Sequence, residues 1–219
     1  MTTAPRVKIC CIQSVAEAEL AVSAGASLLG LVGAMPSGPG PIGDDAIAEV
    51  CRWAPPGVET VLLSSETTAE GLAAHAARTR PSVLQIVDAP EAGAYEALRA
   101  ADPGLKLCQV IHVEDEGAIA EAVAIAPQVD ALLLDSGRPS AAVKELGGTG
   151  RAHDWSVSAQ LVAAVDCPVF LAGGLKPENV AEAVQTVRPY GLDLCTGVRA
   201  DDKLDADKLA AFMQAVRAA

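Results

Sequence analysis

The segment Phe170-Leu-Ala-Gly-Gly-Leu-Lys-Pro177 contains the transition that decides the fold. A short apolar run typical of a buried strand ends in two glycines, and a proline then indicates the start of a helix. The same transition, from a β-type run to a longer Ala- and Glu-rich stretch with helical spacing, occurs eight times along the chain. The predicted strands span residues 7–12, 27–33, 59–64, 83–88, 105–113, 131–135, 168–174 and 191–197. The predicted helices span 14–24, 44–53, 67–78, 92–101, 115–126, 156–164, 177–187 and 205–218.

Alternating strands and helices predict parallel strands joined by right-handed crossovers. Eight such units in 219 residues predict an α/β fold, a single (β/α)8 TIM-type barrel that spans residues 1–219 as one domain. An open doubly wound sheet is the alternative, but no G-x-G-x-x-G motif follows the first strand. Aromatic residues make up only 3% of the chain, so Val, Leu, Ile and Ala must build the core.

The composition excludes several classes of protein. Sixteen basic against 28 acidic residues give a net charge of −12, which repels nucleic acids and anionic membranes, so neither partner is expected. No apolar run reaches the roughly 18 residues of a membrane span, and residues 1–6 are too short and polar for a signal peptide. The six cysteines form no C-x-x-C pair and no metal-ligand spacing with histidine. We therefore expect a cytoplasmic protein with reduced, mostly buried thiols and no metal.

In a barrel of this type, the active site lies at the carboxyl ends of the strands. Strand alternation directs Val7, Ile9 and Cys11 towards the helices, so Lys8 and Cys10 point into the barrel. Cys10 is then a candidate base or nucleophile, although a buried structural thiol is the alternative reading. By the same alternation, Asp135 points inward at the end of an apolar strand and is a candidate general acid or base. Its alternative role is to cap the next segment.

Two glycine-containing strand ends come late in the chain and predict a phosphate site. The first contains Gly173 and Gly174, and the second contains Thr196 and Gly197. Backbone amides exposed at such turns, beside a helix N-terminus, bind anions without a basic side chain. The loops after strands seven and eight of a barrel often hold phosphate, although glycines there can also simply form tight turns.

Two further features are weaker candidates for substrate contact. Gly148 and Gly150 belong to a glycine cluster in the long loop after Asp135, where the composition suits a lid over a ligand or an ordinary surface loop. Of the three histidines, His112 lies near the end of strand five and is the only one that we expect near the site, whereas His75 is expected on a solvated helix face.

Taken in order, these motifs resemble those of the phosphoribosylanthranilate isomerase family, along nearly the whole chain and most strongly from Asp135 onward. The matching motifs are Val7-Lys-Ile-Cys10, Leu133-Leu-Asp135, Gly147-Gly-Thr-Gly150, Asp154-Trp155, Leu171-Ala-Gly-Gly-Leu175, Pro177-Glu-Asn-Val180, Arg188-Pro-Tyr-Gly191 and Thr196-Gly-Val198.

The resemblance implies an Amadori rearrangement of N-(5-phosphoribosyl)anthranilate to 1-(2-carboxyphenylamino)-1-deoxyribulose 5-phosphate, a step of tryptophan biosynthesis. By similarity, Asp135 would be the general acid that opens the sugar ring and Cys10 the general base that removes the C2 proton. Gly173, Gly174, Thr196 and Gly197 would bind phosphate. The family's chemistry implies a small phosphorylated substrate and no cofactor, and the Ala-rich outer helices permit a monomer or a homodimer.

The chain also departs from the family pattern. Cys11 and Gln13 replace the usual Gly and Thr, Val87 stands where the family has histidine, and Arg199 stands where the family commonly has Glu. The loop 35–42 contains no arginine, although the family is expected to use one there to hold the anthranilate carboxylate. We hypothesise that Arg138, Lys144 or Arg151 takes over this contact.

Three other functions remain open at this point. The same acid and base could act on a different phosphorylated aminosugar or ketose. The barrel could bind a sugar phosphate without catalysis. An aldolase-type reaction could form a Schiff base on Lys8.

Overall fold

The computed structural model describes residues 4–36, 38–137 and 154–219. Eight parallel strands form a closed barrel in chain order, in which the last strand pairs with the first. The strands are β1 (Arg6–Ile9), β2 (Leu28–Val32), β3 (Glu59–Ser64), β4 (Val83–Ile86), β5 (Lys106–His112), β6 (Ala131–Asp135), β7 (Val169–Leu171) and β8 (Gly191–Leu194). The helices are α1 (Val15–Ala24), α2 (Asp44–Trp53), α3 (Ala69–Thr79), α4 (Ala94–Ala101), α5 (Gly117–Ile125), α6 (Trp155–Ala164), α7 (Val180–Val187) and α8 (Ala206–Ala218). The prediction of a (β/α)8 barrel is confirmed.

Element boundaries differ from the prediction mainly at the carboxyl ends of the strands. The first strand ends at Ile9 and the eighth at Leu194, which leaves Cys10 and Cys195 in the loops that follow. The seventh helix begins at Val180 rather than at Pro177, because residues 177–179 form a turn first. A 3₁₀ turn (Thr196–Val198) and a short antiparallel hairpin, β9 (Arg199–Ala200) with β10 (Lys203–Leu204), lie between β8 and α8.

The apolar residues form two layers, which is how an alternating strand pattern folds into a barrel. The outer layer lies between the strands and the helices and includes Leu132, Leu134 and Phe212, none of them more than 2% exposed. The inner layer fills the barrel with Val, Leu, Cys and one aromatic ring, Phe170. Leu133 belongs to this inner layer, so Asp135, two residues further along β6, lies on the interior face as well.

Local capping explains where several helices begin. The side chains of Ser14, Thr68 and Asp205 accept hydrogen bonds from backbone N–H groups in the first turns of α1, α3 and α8. Gly25 ends α1 at φ 109°, a left-handed conformation that favours glycine. In the described ranges, no helix is both long enough and apolar enough to cross a lipid bilayer.

Candidate active site

A pocket opens at the carboxyl end of the barrel and encloses about 890 Å³, the open mouth included. Its wall is formed by strand ends and by the loops that follow β1, β2, β7 and β8. Six residues predicted from the sequence lie in this wall: Cys10, Asp135, Gly173, Gly174, Thr196 and Gly197. The structure therefore brings the candidate thiol, carboxylate and phosphate loops together around one pocket.

Cys10 is the first residue after β1, and its thiol is almost fully buried. Its backbone N–H donates to the carbonyl of Leu194 at 2.8 Å, which continues the pairing of β1 with β8. Gly30 on the neighbouring strand makes room for the side chain, because a Cβ there would lie 2.8 Å from Cys10 Sγ and 2.9 Å from Lys8 Cε. Burial raises the pKa of the Cys10 thiol to about 12, and the nearby charge of Lys8 opposes that rise.

Lys8 lies in the barrel interior below Cys10, as predicted, and is only 2% exposed. Its Nζ donates to Gln85 Oε1 at 2.6 Å and lies 3.2 Å from Asp193 Oδ2. Burial alone would lower the pKa of Lys8, but the Asp193 carboxylate more than offsets this and the pKa is raised. Lys8 is therefore a fixed buried cation, which does not suit the neutral amine that Schiff-base chemistry needs.

Asp193 is a pocket residue that our sequence reasoning missed. Its Oδ1 atom is buried and has no hydrogen-bond partner in the described part of the chain. The sequence pattern predicts its position, because Leu192 and Leu194 face outward along β8 and Asp193 between them must point into the barrel.

Asp135 ends β6 and is 8% exposed. Its Oδ1 accepts a hydrogen bond of 2.8 Å from the Ser136 N–H. Burial raises the pKa of Asp135, while the Ser136 N–H and the nearby His112 partly oppose the rise. A carboxyl group with a raised pKa can hold a proton close to neutral pH, as a general acid requires.

The two glycine-containing turns form one side of the pocket. Gly173 and Gly174 adopt φ 84° and φ 63°, and within the described ranges their N–H groups donate to no protein acceptor. Gly197 faces the first turn so closely that a Cβ there would lie 2.6 Å from the Leu175 carbonyl oxygen. Asn179 ties the first turn to the start of α7 by accepting from the Lys176 N–H and donating to the Gly174 carbonyl. Such a concave set of backbone donors suits an anion.

The expectation that all cysteines are reduced is wrong for two of the six. Cys11 and Cys195 form a disulfide, while the other four are free. The prediction that Cys11 faces the helices is also wrong, because β1 ends before it and φ is 62° at this residue. This turn directs the side chain towards the end of β8.

Arg199, which departs from the family pattern, has a structural role. Its Nη2 lies 2.6 Å from Glu17 Oε2, and its Nη1 donates to the Asp202 carbonyl at 2.9 Å. The same Nη2 also donates to the carbonyl oxygen of Cys11. The guanidinium thus fixes the loop after β1 to α1 and to the β9–β10 hairpin.

The remaining predicted residues lie elsewhere. His112 is not in the pocket wall, and its Nε2 lies 3.0 Å from the Val87 carbonyl oxygen. His75 is buried rather than solvated, because its Nδ1 lies 2.9 Å from Ser64 Oγ and its ring packs against Gly33. Gly148, Gly150, Arg138, Lys144 and Arg151 lie outside the described residues. Across the described ranges, no group of three or more His, Cys, Asp or Glu side chains could hold a metal ion.

Comparison with known proteins matches nearly the whole chain to a known family. The family model described as N-(5'phosphoribosyl)anthranilate (PRA) isomerase matches residues 7–215. The chain belongs to the PRA isomerase family. It is 38% identical over 216 residues to the N-(5'-phosphoribosyl)anthranilate isomerase of Haloferax volcanii, and the match covers 98% of this chain and 94% of that protein. The corresponding enzyme of Methanocella arvoryzae is 33% identical over 213 residues, covering 97% of this chain and 98% of that enzyme.

Solved structures of PRA isomerases have the same architecture. The phosphoribosyl anthranilate isomerase of Thermus thermophilus superposes with a TM-score of 0.82 at 30% identity, over 97% of this chain and 98% of that one. Another PRA isomerase was solved with reduced 1-(o-carboxyphenylamino)-1-deoxyribulose 5-phosphate. It superposes with a TM-score of 0.78 at 25% identity, over 98% of this chain and 100% of that one.

Proposed function

We propose that this protein is a phosphoribosylanthranilate isomerase of tryptophan biosynthesis, an intramolecular oxidoreductase that converts an aminoaldose phosphate into an aminoketose phosphate. The observation that carries the proposal is the pocket of a PRA isomerase-family barrel, in which Cys10 and Asp135 occupy strand ends beside two glycine turns. A related enzyme binds a reduced analogue of the product, which supports a small phosphorylated substrate.

The two glycine turns hold the substrate's phosphate in this proposal. The N–H groups of Gly173 and Gly174, together with Thr196 and Gly197, donate to the phosphate oxygens from one side of the pocket. Backbone donors fixed by two strand ends bind an anion with little loss of entropy, because they are already in place. The sugar then extends across the barrel mouth towards Cys10 and Asp135.

Asp135 acts first, as the general acid. Its proton passes to the ring oxygen of the ribose, the bond from C1 to that oxygen breaks, and the substrate's amine nitrogen forms a double bond to C1. The raised pKa of Asp135 keeps the carboxyl group protonated closer to neutral pH than an exposed aspartate. The product of this step is a cationic open-chain Schiff base.

Cys10 then acts as the general base. Its thiolate removes the C2 proton, which the cationic nitrogen has made acidic, and the resulting enolamine tautomerises to the ketose. The thiol pKa of about 12 means that the thiolate is a minor species in the free protein, and the Lys8 cation lowers the cost of forming it. We expect the acid and the base each to contribute about 10²- to 10⁴-fold to the rate.

Recognition of the anthranilate carboxylate remains a prediction. Met35, Gly38 and Pro39 line the pocket from the loop after β2, and this loop contains no arginine. Arg138, Lys144 and Arg151 are the candidates for the missing cation. If one of them holds the carboxylate, its replacement by alanine raises KM for phosphoribosylanthranilate, since a charge-assisted contact contributes about 1.5–3 kcal/mol. An unchanged KM in all three variants contradicts this assignment.

A steady-state assay tests the proposed function. The loss of phosphoribosylanthranilate fluorescence is followed with the purified wild type and with Cys10→Ala and Asp135→Asn. We expect turnover in the wild type and a loss of about 10²-fold or more in each variant. Cys108→Ala is the matched control, because Cys108 is another buried interior thiol and lies outside the pocket wall. Absence of wild-type turnover, or full activity in both variants, contradicts the proposal.

We further propose that the enzyme works in the cytoplasm without a cofactor, and that it needs no nucleic-acid or membrane partner. The acidic net charge of −12 supports the last point. The barrel contains a complete set of candidate acid, base and phosphate groups in one chain, so either a monomer or a homodimer can be active. Light scattering of the purified protein distinguishes these two states.

A further inference from the structure

The disulfide between Cys11 and Cys195 lies in the wall of the proposed active site. Both residues line the pocket, and their Cα atoms are 5.9 Å apart although 184 positions separate them in the sequence. Closure of the barrel explains the pairing. Ile9 pairs with Leu194 between β1 and β8, so the next residues of both strands emerge side by side at the carboxyl end. Neither cysteine belongs to the proposed acid–base pair.

Both ends of this bridge have other restraints, since Arg199 follows the turn of Thr196–Val198 directly and also contacts the loop after β1. Cys11 has anchors of its own, because Arg199 donates to its carbonyl and is itself paired with Glu17. Its side chain also packs against Gly40, where a Cβ would lie 2.6 Å from Cys11 Cβ. Loss of the disulfide would therefore leave Cys11 in place.

Cys195 continues directly into the proposed phosphate site. It precedes the 3₁₀ turn of Thr196–Val198, which contains Thr196 and Gly197. The disulfide thus connects the anchored loop after β1 with the turn that presents phosphate donors. In contrast, the barrel strands hold Cys10 and Asp135 independently of the bridge.

We propose that Cys11 and Cys195 form a redox modification site that sets the affinity of the pocket for the phosphate group of its ligand. In the disulfide form, the bridge fixes the turn after β8 in its binding position. A dithiol reductant transfers two electrons and two protons, becomes a disulfide itself, and leaves two free thiols at Cys11 and Cys195. The turn is still held at its far end by Arg199, but it loses its restraint at Cys195 and then binds phosphate more weakly.

Cys10, although adjacent to Cys11 in the sequence, does not exchange with this disulfide. Only a thiolate attacks a disulfide, and the pKa of about 12 keeps Cys10 as a thiol at neutral pH. A disulfide in a reducing compartment is usually transient, catalytic or redox-sensing, which is consistent with a reversible role here. The proposal uses phosphate binding as its primary readout and rests on the proposed function only for the turnover readout.

The test compares the oxidised protein with the same protein after treatment with dithiothreitol. Thiol titration after denaturation is expected to give four free cysteines before reduction and six after it. Calorimetric titration with inorganic phosphate is expected to show Kd rising about tenfold on reduction. KM for phosphoribosylanthranilate is expected to rise in parallel, while kcat stays within about twofold, because the phosphate contact is weakened equally in the ground state and in the transition state.

Variants distinguish this proposal from a general effect of the reductant. Cys11→Ser and Cys195→Ser should each show the phosphate Kd of the reduced protein and no response to dithiothreitol. Cys51→Ser is the matched control, since Cys51 is a half-buried free cysteine on α2, and it should respond as the wild type does. Six free thiols in the oxidised protein, or a phosphate Kd that reduction leaves unchanged or lowers, would overturn the proposal. A Kd that responds in a protein without turnover would reject the proposed function and leave the redox site standing.

Discussion

Replacing Lys8 by methionine should destabilise the protein strongly and in a pH-dependent way. The substitution leaves Asp193 as a buried carboxylate without its cation, which in other proteins costs about 3–5 kcal/mol. The geometry gives a similar magnitude. Two unit charges 3.2 Å apart attract by about 5 kcal/mol at an effective dielectric constant of about 20. Loss of the bond from Lys8 Nζ to Gln85 adds to the cost.

Protonation of Asp193 limits this penalty, and the limit depends on pH. Burial raises the pKa of Asp193 even in the wild type, where the charge of Lys8 opposes the rise. Without Lys8 this pKa rises further above the unfolded value of about 3.9, so the folded variant binds a proton that the unfolded chain has released. That uptake costs about 1.4 kcal/mol for each pH unit above 3.9, or about 5 kcal/mol at pH 7.5 and 2 kcal/mol at pH 5.5. The free energy of unfolding that Lys8→Met loses relative to the wild type should therefore be smaller at low pH and larger at high pH.

Urea denaturation at pH 7.5 and pH 5.5 measures this difference. The double variant Lys8→Met/Asp193→Asn carries neither charge of this pair, so its loss of stability should be smaller than that of Lys8→Met and should depend less on pH. Lys106→Met is the matched control, because its exposed ammonium pairs with Glu59 and should contribute at most about 1 kcal/mol. If Lys8→Met costs the same at both pH values, or if the double variant is as unstable as the single one, the charge-pair argument is refuted.

Three further predictions concern catalysis, phosphate binding and folding. With Cys10 as base and Asp135 as acid, kcat/KM should decrease as the pH falls below the raised pKa of Asp135. On the alkaline side, kcat/KM should not decrease below about pH 10, since the alkaline limb of the profile follows the Cys10 pKa of about 12. A pH–rate profile with an alkaline limb near pH 8 contradicts this assignment. Gly197→Ala should weaken phosphate binding about tenfold, because its Cβ would meet the carbonyl oxygen of Leu175. Gly43→Ala is the control and should leave phosphate binding unchanged, since a Cβ at Gly43 has no atom within 4 Å. Phosphate titration of both variants measures the difference. Burial lowers the pKa of His75, so its contribution to stability is complete above pH 6.5 and is lost as pH falls below that value. Urea denaturation should therefore show a free energy of unfolding that decreases below pH 6.5 in the wild type, and this His75-dependent decrease should be absent in His75→Gln.

The sequence predicts the barrel well because strand alternation and strand–helix order are local properties of the chain. The same alternation places Cys10, Asp135 and Lys8 on the interior face, where the structure has them. Applied to the eighth strand, the same alternation places Asp193 on this face as well. These residues are predictable because the backbone up to each of them is regular β-structure or continues it by one residue.

The features that were not predicted depend on contacts between distant parts of the chain or on irregular backbone. The disulfide joins residues 184 positions apart, so it is visible only once the barrel closes. The left-handed conformation of Cys11 breaks the alternation that would turn it outward. His75 looked like a surface residue on a helix, but α3 presents it to Ser64 and Gly33 at the ends of neighbouring strands.

Burial of the acidic groups in the pocket reduces their electrostatic repulsion of the anionic substrate. Phosphoribosylanthranilate is an anion at both its phosphate and its carboxylate, and the protein that binds it carries a net charge of −12. An ionised Asp135 at the pocket would add to this repulsion in a low-dielectric environment. Burial raises its pKa and so favours the neutral acid, which repels the substrate less and holds the proton that ring opening requires in the proposed mechanism. The same burial favours a neutral Cys10 thiol, and in the proposed mechanism the thiolate is needed only when the substrate itself, as a cationic Schiff base, supplies a positive charge. The substrate's chemistry sets the order of the proposed steps, acid before base, and the burial of both groups suits that order.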